Sequence, residues 1–235
     1  MLKIEHLTKK YDQYKAVDDL SLHIERGHIY GFIGHNGAGK TTTLKAIAGI
    51  IEFDEGEIFV DGINIQKNSM EAKKVLAYLP DNPDLYEHLK GIDYLNFIAD
   101  VFKVDKETRK KNIEEYAKRL QIYNDLKLPI SSYSHGMKQK LALVSALIHK
   151  PKLLLLDEPF VGLDPISSHE LKEIMNEFVK NGGAIFYSTH VLEVAEKICT
   201  HVAIIKQGKL VANGEMKKVR GLKSLESLFL ELENE

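Results

Sequence analysis

Eight residues constrain this chain more than any others: Gly34-His35-Asn36-Gly37-Ala38-Gly39-Lys40-Thr41, a G-x-x-x-x-G-K-T run with one further glycine inside it. Glycines let a backbone turn tightly and aim successive N–H groups inward, which makes a concavity for phosphate oxygens. The run follows a compact apolar stretch, Ile29–Ile33, that reads as a buried strand. It leads into helix-spaced residues over Thr41–Ile50, with Gly49 near their end. That order, strand then loop then helix, adds the positive end of the helix to the anion site. Gly34, Asn36, Gly37, Ala38, Gly39, Lys40, Thr41 and Thr42 are therefore candidate contacts for a nucleoside triphosphate. Lys40 suits the β- and γ-phosphates, and the Thr41 hydroxyl suits Mg²⁺.

A second apolar run, Leu153–Leu156, ends in Asp157-Glu158. A strand that terminates in paired carboxylates delivers both to the C-terminal edge of its sheet, where ligands of open α/β folds bind. Asp157 is expected to hold Mg²⁺ through its hydration shell. Glu158 is expected to orient the attacking water or take its proton, as a general base does. Alone, the pair would also fit a solvated acidic turn; beside a phosphate loop the catalytic reading prevails.

Around these runs the pattern alternates. Leu20, Leu22 and Ile24 face one way and Ser21, His23 and Glu25 the other, the signature of a half-buried strand. Glu57–Val60, Asp61-Gly62 and Ile63–Ile65 read as a hairpin. Beyond the helix-breaking Pro80-Asp81-Asn82-Pro83, residues 83–150 read as all-helical. Ile92, Leu95, Ile98 and Phe102 recur at helical spacing, as do Ile113, Tyr116 and Leu120 after a cap at Asp105. Strands at Leu153–Leu156, Ala184–Ser188 and Val202–Ile205 then alternate with helices near Pro165–Lys180 and Leu192–Cys199. Fully apolar strands between helices imply an α/β fold with a mostly parallel sheet covered on both faces. Ser224–Leu230 places Leu225, Leu228 and Phe229 on one helical face, which is expected to dock on the domain.

Composition narrows the partners. With 32 basic and 34 acidic side chains in 235 residues, the chain lacks the basic excess of a nucleic-acid binder, so none is expected. The single cysteine, Cys199, permits no internal disulfide and is expected to be a buried apolar residue. The ten histidines show no zinc-site spacing. There is no signal-peptide core at the start and no run of about 18 uncharged apolar residues, so the expected location is cytoplasmic, with membrane attachment through a partner.

Taken together, the motifs resemble those of the nucleotide-binding subunits of ABC transporters, nearly end to end and in that family's order. Tyr133-Ser134-His135-Gly136-Met137 stands where the signature motif is found, Gly162-Leu163-Asp164 at the D-loop and Ser188-Thr189-His190 at the switch histidine. The resemblance implies a P-loop ABC ATPase fold with an N-terminal antiparallel β-subdomain and an inserted helical subdomain. It implies one ATPase domain over 1–235, with core segments 1–80 and 151–220, a helical segment 83–150 and a tail 221–235. It further implies that Tyr11 stacks on adenine, with Tyr14 close by as a rival. His190 would donate to the γ-phosphate, and Ser134, Gly136 and Asp164 would face a second ATPase protomer, identical or homologous. The partner of such a dimer is a transmembrane permease encoded separately, and the Asp81, Leu85-Tyr86-Glu87 and tail features resemble small export systems. Two other readings stay open: a soluble ABC-type ATPase of translation or DNA repair, and a regulator that binds nucleotide with little hydrolysis.

Three positions depart from the family pattern, one of them Met137, which replaces the signature glutamine. Asp81 replaces the usual Q-loop glutamine, as a shorter, charged group that still suits Mg²⁺; the other reading is that it only caps a turn. His135 replaces a signature glycine, and its ring is expected to point away from the anion site.

Overall fold

Period-two burial organises the first quarter of the chain in the computed structural model, which describes residues 1–234. Strands β1 (Leu2–Tyr11) and β2 (Tyr14–Ile24) pair antiparallel, with Leu20, Leu22 and Ile24 all buried as their alternation demands. After β3 (Ile29–Ile33) and α1 (Lys40–Ile47), the chain forms the hairpin β4 (Glu55–Val60) and β5 (Ile63–Asn64). Asp61 and Gly62 both take positive φ, 51° and 80°, the conformation that a two-residue hairpin turn favours. These strands make one antiparallel sheet in the order β2-β1-β4-β5. The expected helix over Thr41–Ile50 is shorter than read: α1 stops at Ile47, and Gly49 turns the chain at φ 64°.

Helix α2 (Ser69–Val75) and strand β6 (Leu76–Leu79) precede three helices, α3 (Gly91–Val101), α4 (Lys106–Arg119) and α5 (His135–Ile148). Asp105 caps α4 as expected, accepting from the Glu107 and Thr108 N–H groups. Between α4 and α5 the segment is not wholly helical: it holds two short 3₁₀ turns and a β-bridge from Lys90 to Pro129. The remaining elements are β7 (Leu153–Asp157), α6 (Pro165–Lys180), β8 (Ala184–Thr189), α7 (Leu192–Ile198), β9 (His201–Lys206), β10 (Lys209–Glu215), α8 (Met216–Arg220) and α9 (Leu225–Asn234). Glu235, at the end of the expected tail segment, lies outside the described residues.

A second sheet runs β10-β9-β3-β8-β7-β6, parallel except for the edge strand β10. Alternate residues of its apolar strands feed two cores. Leu153 and Leu155 pack with Phe32, Phe186 and Leu44 towards α1 and the antiparallel sheet. Leu154 and Leu156 pack with Ile33, Tyr187 and the helices on the other face. This two-sided burial is why the strands read as continuous apolar runs. Cys199 is buried as expected, and burial pushes its thiol up to about 12. Among the described residues no helix is long and apolar enough to cross a membrane.

The register sets the functional edge. β3 lies between β8 and β9, and β7 lies beside β8, with Ile33 opposite Thr189 and Asp157 opposite Ser188. The glycine loop, the acidic pair and the Ser188–His190 segment therefore leave the sheet side by side.

Candidate nucleotide site

The loop after β3 owes its shape to glycine at a point that no other residue fits. Gly39 sits at φ 109°, and a Cβ there would lie 2.3 Å from the Ala16 carbonyl oxygen. Inside the loop Lys40 is 7% exposed, and its ammonium donates to the carbonyls of Gly34 (2.6 Å) and His35 (3.0 Å). Burial lowers its pKa from the ordinary lysine value, and the carboxylates of Glu158 and Asp157 work against that shift. A buried cation of this kind gains from a polyanion brought beside it.

Asp157, 1% exposed, is held on both oxygens: Thr41 Oγ1 donates to one at 2.7 Å and Ser188 Oγ to the other. Glu158 follows in a left-handed turn at φ 48°, its N–H donating to the Ser188 carbonyl at 3.2 Å. A non-glycine residue held at positive φ beside such a loop is the kind of strain that functional sites store. Its carboxylate lies 2.7 Å from His190 Nδ1. The two groups thus meet across neighbouring strands.

One cleft of about 340 Å³ gathers Tyr11, Asn36, Gly37, Gly39, Lys40, Thr41, Thr42, Asp81, Asp157 and Glu158. Gly34, Asn36 and His190 line an adjoining depression, and Ala38 sits buried beneath the loop, its N–H donating to the His35 carbonyl at 3.1 Å. Tyr11 is 49% exposed with the Lys9 ammonium 5.0 Å from its ring centroid. Asp81 is exposed, lines the cleft, and accepts the Asn82 N–H at 2.8 Å.

Ser134, Gly136 and Asp164 are elsewhere. Ser134 caps α5, accepting from the Met137 N–H at 3.3 Å. Gly136 meets Gly162: a Cβ on Gly136 would fall 2.5 Å from the Gly162 carbonyl oxygen. Asp164 caps α6 through the Ser167 N–H (2.9 Å) and pairs with Lys140 at 2.6 Å, contacts that hold its carboxyl well below the usual range. The His135 ring lies against Gly162. Within one chain these residues form a patch of their own and do not line the cleft.

Two contacts escaped the sequence reading. Ser188 holds Asp157, and the Tyr14 hydroxyl donates to the Gly37 carbonyl at 3.3 Å. Tyr14 was visible as a second aromatic beside Tyr11. Ser188 was visible only as a neighbour of His190, because its partner Asp157 is set by the register between β7 and β8.

Known proteins resemble this chain along most of its length. A family model described as "ABC transporter" matches residues 17–161. The chain is 37% identical over 90% of its length to the bacitracin transport ATP-binding protein BcrA of Bacillus licheniformis, covering 68% of that protein. It is 33% identical over 97% of its length to the lantibiotic transport ATP-binding protein SrtF of Streptococcus pyogenes, covering 96% of it. A solved ATP-binding subunit of an ABC transporter superposes with a TM-score of 0.95 at 33% identity, over 99% of both chains. With the fold, the glycine loop and these relatives in agreement, the chain belongs to the ABC transporter family and is one of its ATP-binding subunits, built on that family's ATPase fold.

Proposed function

We propose that this chain hydrolyses Mg–ATP in the cleft above β3 and β7 and passes the resulting motion to a separate membrane permease. The observation that carries the reading is the convergence of Lys40, Thr41, Asp157 and Glu158 on one cleft. The loop N–H groups, the start of α1 and Lys40 bind the triphosphate, and Tyr11 supplies an aromatic face for the base. Thr41, Asp157 and Asp81 offer the hard oxygen donors that Mg²⁺ takes. When bound, that ion neutralises phosphate charge. Glu158 positions the attacking water and accepts its proton, and His190, held by Glu158, turns towards the γ-phosphate. Chemistry of this kind is mainly positioning and charge stabilisation.

The cleft is one half of the working site. Ser134 and Gly136 of the partner subunit, at the start of its α5, close on the γ-phosphate, and Asp164 of the partner subunit borders the same junction. In this reading residues 1–80 and 151–220 form the core of one domain, 83–150 its helical part and 221–235 its tail. The dimer, of identical or homologous chains, sits on the inner face of the membrane through its permease. The direction in this reading is outward, with cargo chosen by the permease; two of the relatives are named for bacitracin and lantibiotic transport.

Exchange of Glu158 for glutamine tests the assignment. Turnover should fall by at least about a hundredfold while ATP binding persists, since a positioned base is worth about 10²–10⁴ in rate. Turnover within a fewfold of wild type would remove Glu158 from the proposed role.

A further inference from the structure

The phosphate loop has a neighbour that comes from the far end of the chain. Phe229, on α9, sets its ring edge-on against His35, with centroids 4.9 Å apart. Phe229 is 7% exposed although it belongs to the last helix, and Leu225, one turn earlier, is fully buried. Two polar contacts fasten the same helix. The Leu225 N–H donates to Glu196 Oε2 at 3.0 Å, and Lys206 Nζ donates to the Leu232 carbonyl at 2.9 Å. Glu196 is on α7, which begins two residues after His190, and Lys206 ends β9. Helix α9 therefore touches the phosphate loop, the helix behind the switch histidine and a strand adjacent to the loop.

His35 is the residue through which such a contact matters. Its carbonyl accepts both the Lys40 ammonium (3.0 Å) and the Ala38 N–H (3.1 Å). Those bonds set where the cation lies and how the loop backbone turns. Phe229 also lines the depression that holds Gly34, Asn36 and His190. Aromatic edge-to-face contacts are directional, so a buried ring here limits the orientations open to the His35 side chain and, through it, its peptide.

We infer that Phe229 is a positioning residue for the nucleotide: acting through His35, it holds the phosphate loop and Lys40 in the form that receives ATP, and α9 is the strap that keeps it there. The inference rests on the loop being the phosphate cradle. Its consequence is a KM effect, because the ring acts through His35, which has no role in the hydrolytic step.

The experiment titrates the full-length chain with a fluorescent ATP analogue and measures turnover and thermal unfolding in parallel. Phe229→Ala should weaken binding and raise KM by about two- to tenfold, the worth of one aromatic pair, with kcat within twofold. Phe229→Leu, which keeps apolar volume and removes the ring, should weaken binding likewise and carries the test where Phe229→Ala does not fold. Phe229→Tyr should bind as wild type does. In a His35→Ala background, Phe229→Ala should have no further effect on affinity. A lowered unfolding temperature with unchanged affinity, or an equal loss with and without His35, would overturn the inference. Lys40→Ala serves as the separate check on the cradle. If it binds the analogue like wild type, the cradle reading fails, and the role of Phe229 falls with it for that reason.

Discussion

Asp164 shows what a single side chain does in this molecule. It closes the first turn of α6 through Ser167 and reaches Lys140 on α5, joining the helix that carries Ser134 to the one that follows Glu158. The Lys140 ammonium and the Ser167 donors hold its carboxyl below its unfolded value near 3.9. A carboxyl depressed on folding contributes stability that is complete above the unfolded pKa and is lost as pH falls through the folded one. The stability difference between wild type and Asp164→Asn should therefore be level at neutral pH and shrink as pH drops below about 4. Its size is modest, since the side chain is 42% exposed and solvent screens the pair. Urea unfolding at pH 7 and at pH 3.5 measures both, and a difference that grows in acid would contradict the assignment. At this scale the loop at Gly34–Thr41 was legible because its chemistry occupies consecutive positions. The donors to Asp157 and Gly37 were not, because Ser188 and Tyr14 arrive from other strands.

Helices and strands here succeed or fail on how their ends are satisfied. The last carbonyls of α5 have no partners within the helix, and the Ile148 carbonyl finds one in Asn112 Nδ2, 2.8 Å away on α4. Asn112 is buried, so water cannot replace it. Asn112→Ala should cost about 1–3 kcal/mol of stability through the unsatisfied carbonyl, with ATP affinity unchanged. Chemical denaturation beside an ATP titration reads both quantities. Arg119 links α4 to α6 through Glu170 and Glu177, so the helices around the site are joined by polar as well as apolar contacts. Periodicity made these helices readable. Ile113 and Leu120 fall in the core, and the cap at Asp105 is where its residue type predicts. It did not reveal α2, whose seven residues bury only Ala72, nor β10, an edge strand of mixed polarity with few apolar positions to alternate. The apolar face of α9 was readable from Leu225, Leu228 and Phe229, whereas its contact with His35 needed the tertiary structure.

Across the whole molecule, the parallel sheet brings three segments to one edge and leaves a fourth group apart. Lys40, Asp157 and Glu158 share a cleft, while Ser134 and Gly136 sit beside Gly162, outside it. Residues of complementary chemistry on separate surfaces are what a head-to-tail dimer requires, because each cleft is then completed by the other chain. The reach of the sequence was greatest here, where several motifs in fixed order carry the fold at once. If the cleft is half of a shared site, the mass in solution of the Glu158→Gln chain must depend on ATP. A monomer that doubles its mass when ATP is added is expected, and no doubling once Ser134→Asp, which keeps a helix-capping side chain on an exposed position, puts a negative charge on the face meant to meet the γ-phosphate. A chain that binds ATP at saturation and stays monomeric, or a Ser134→Asp form that dimerises as readily, would contradict the shared site.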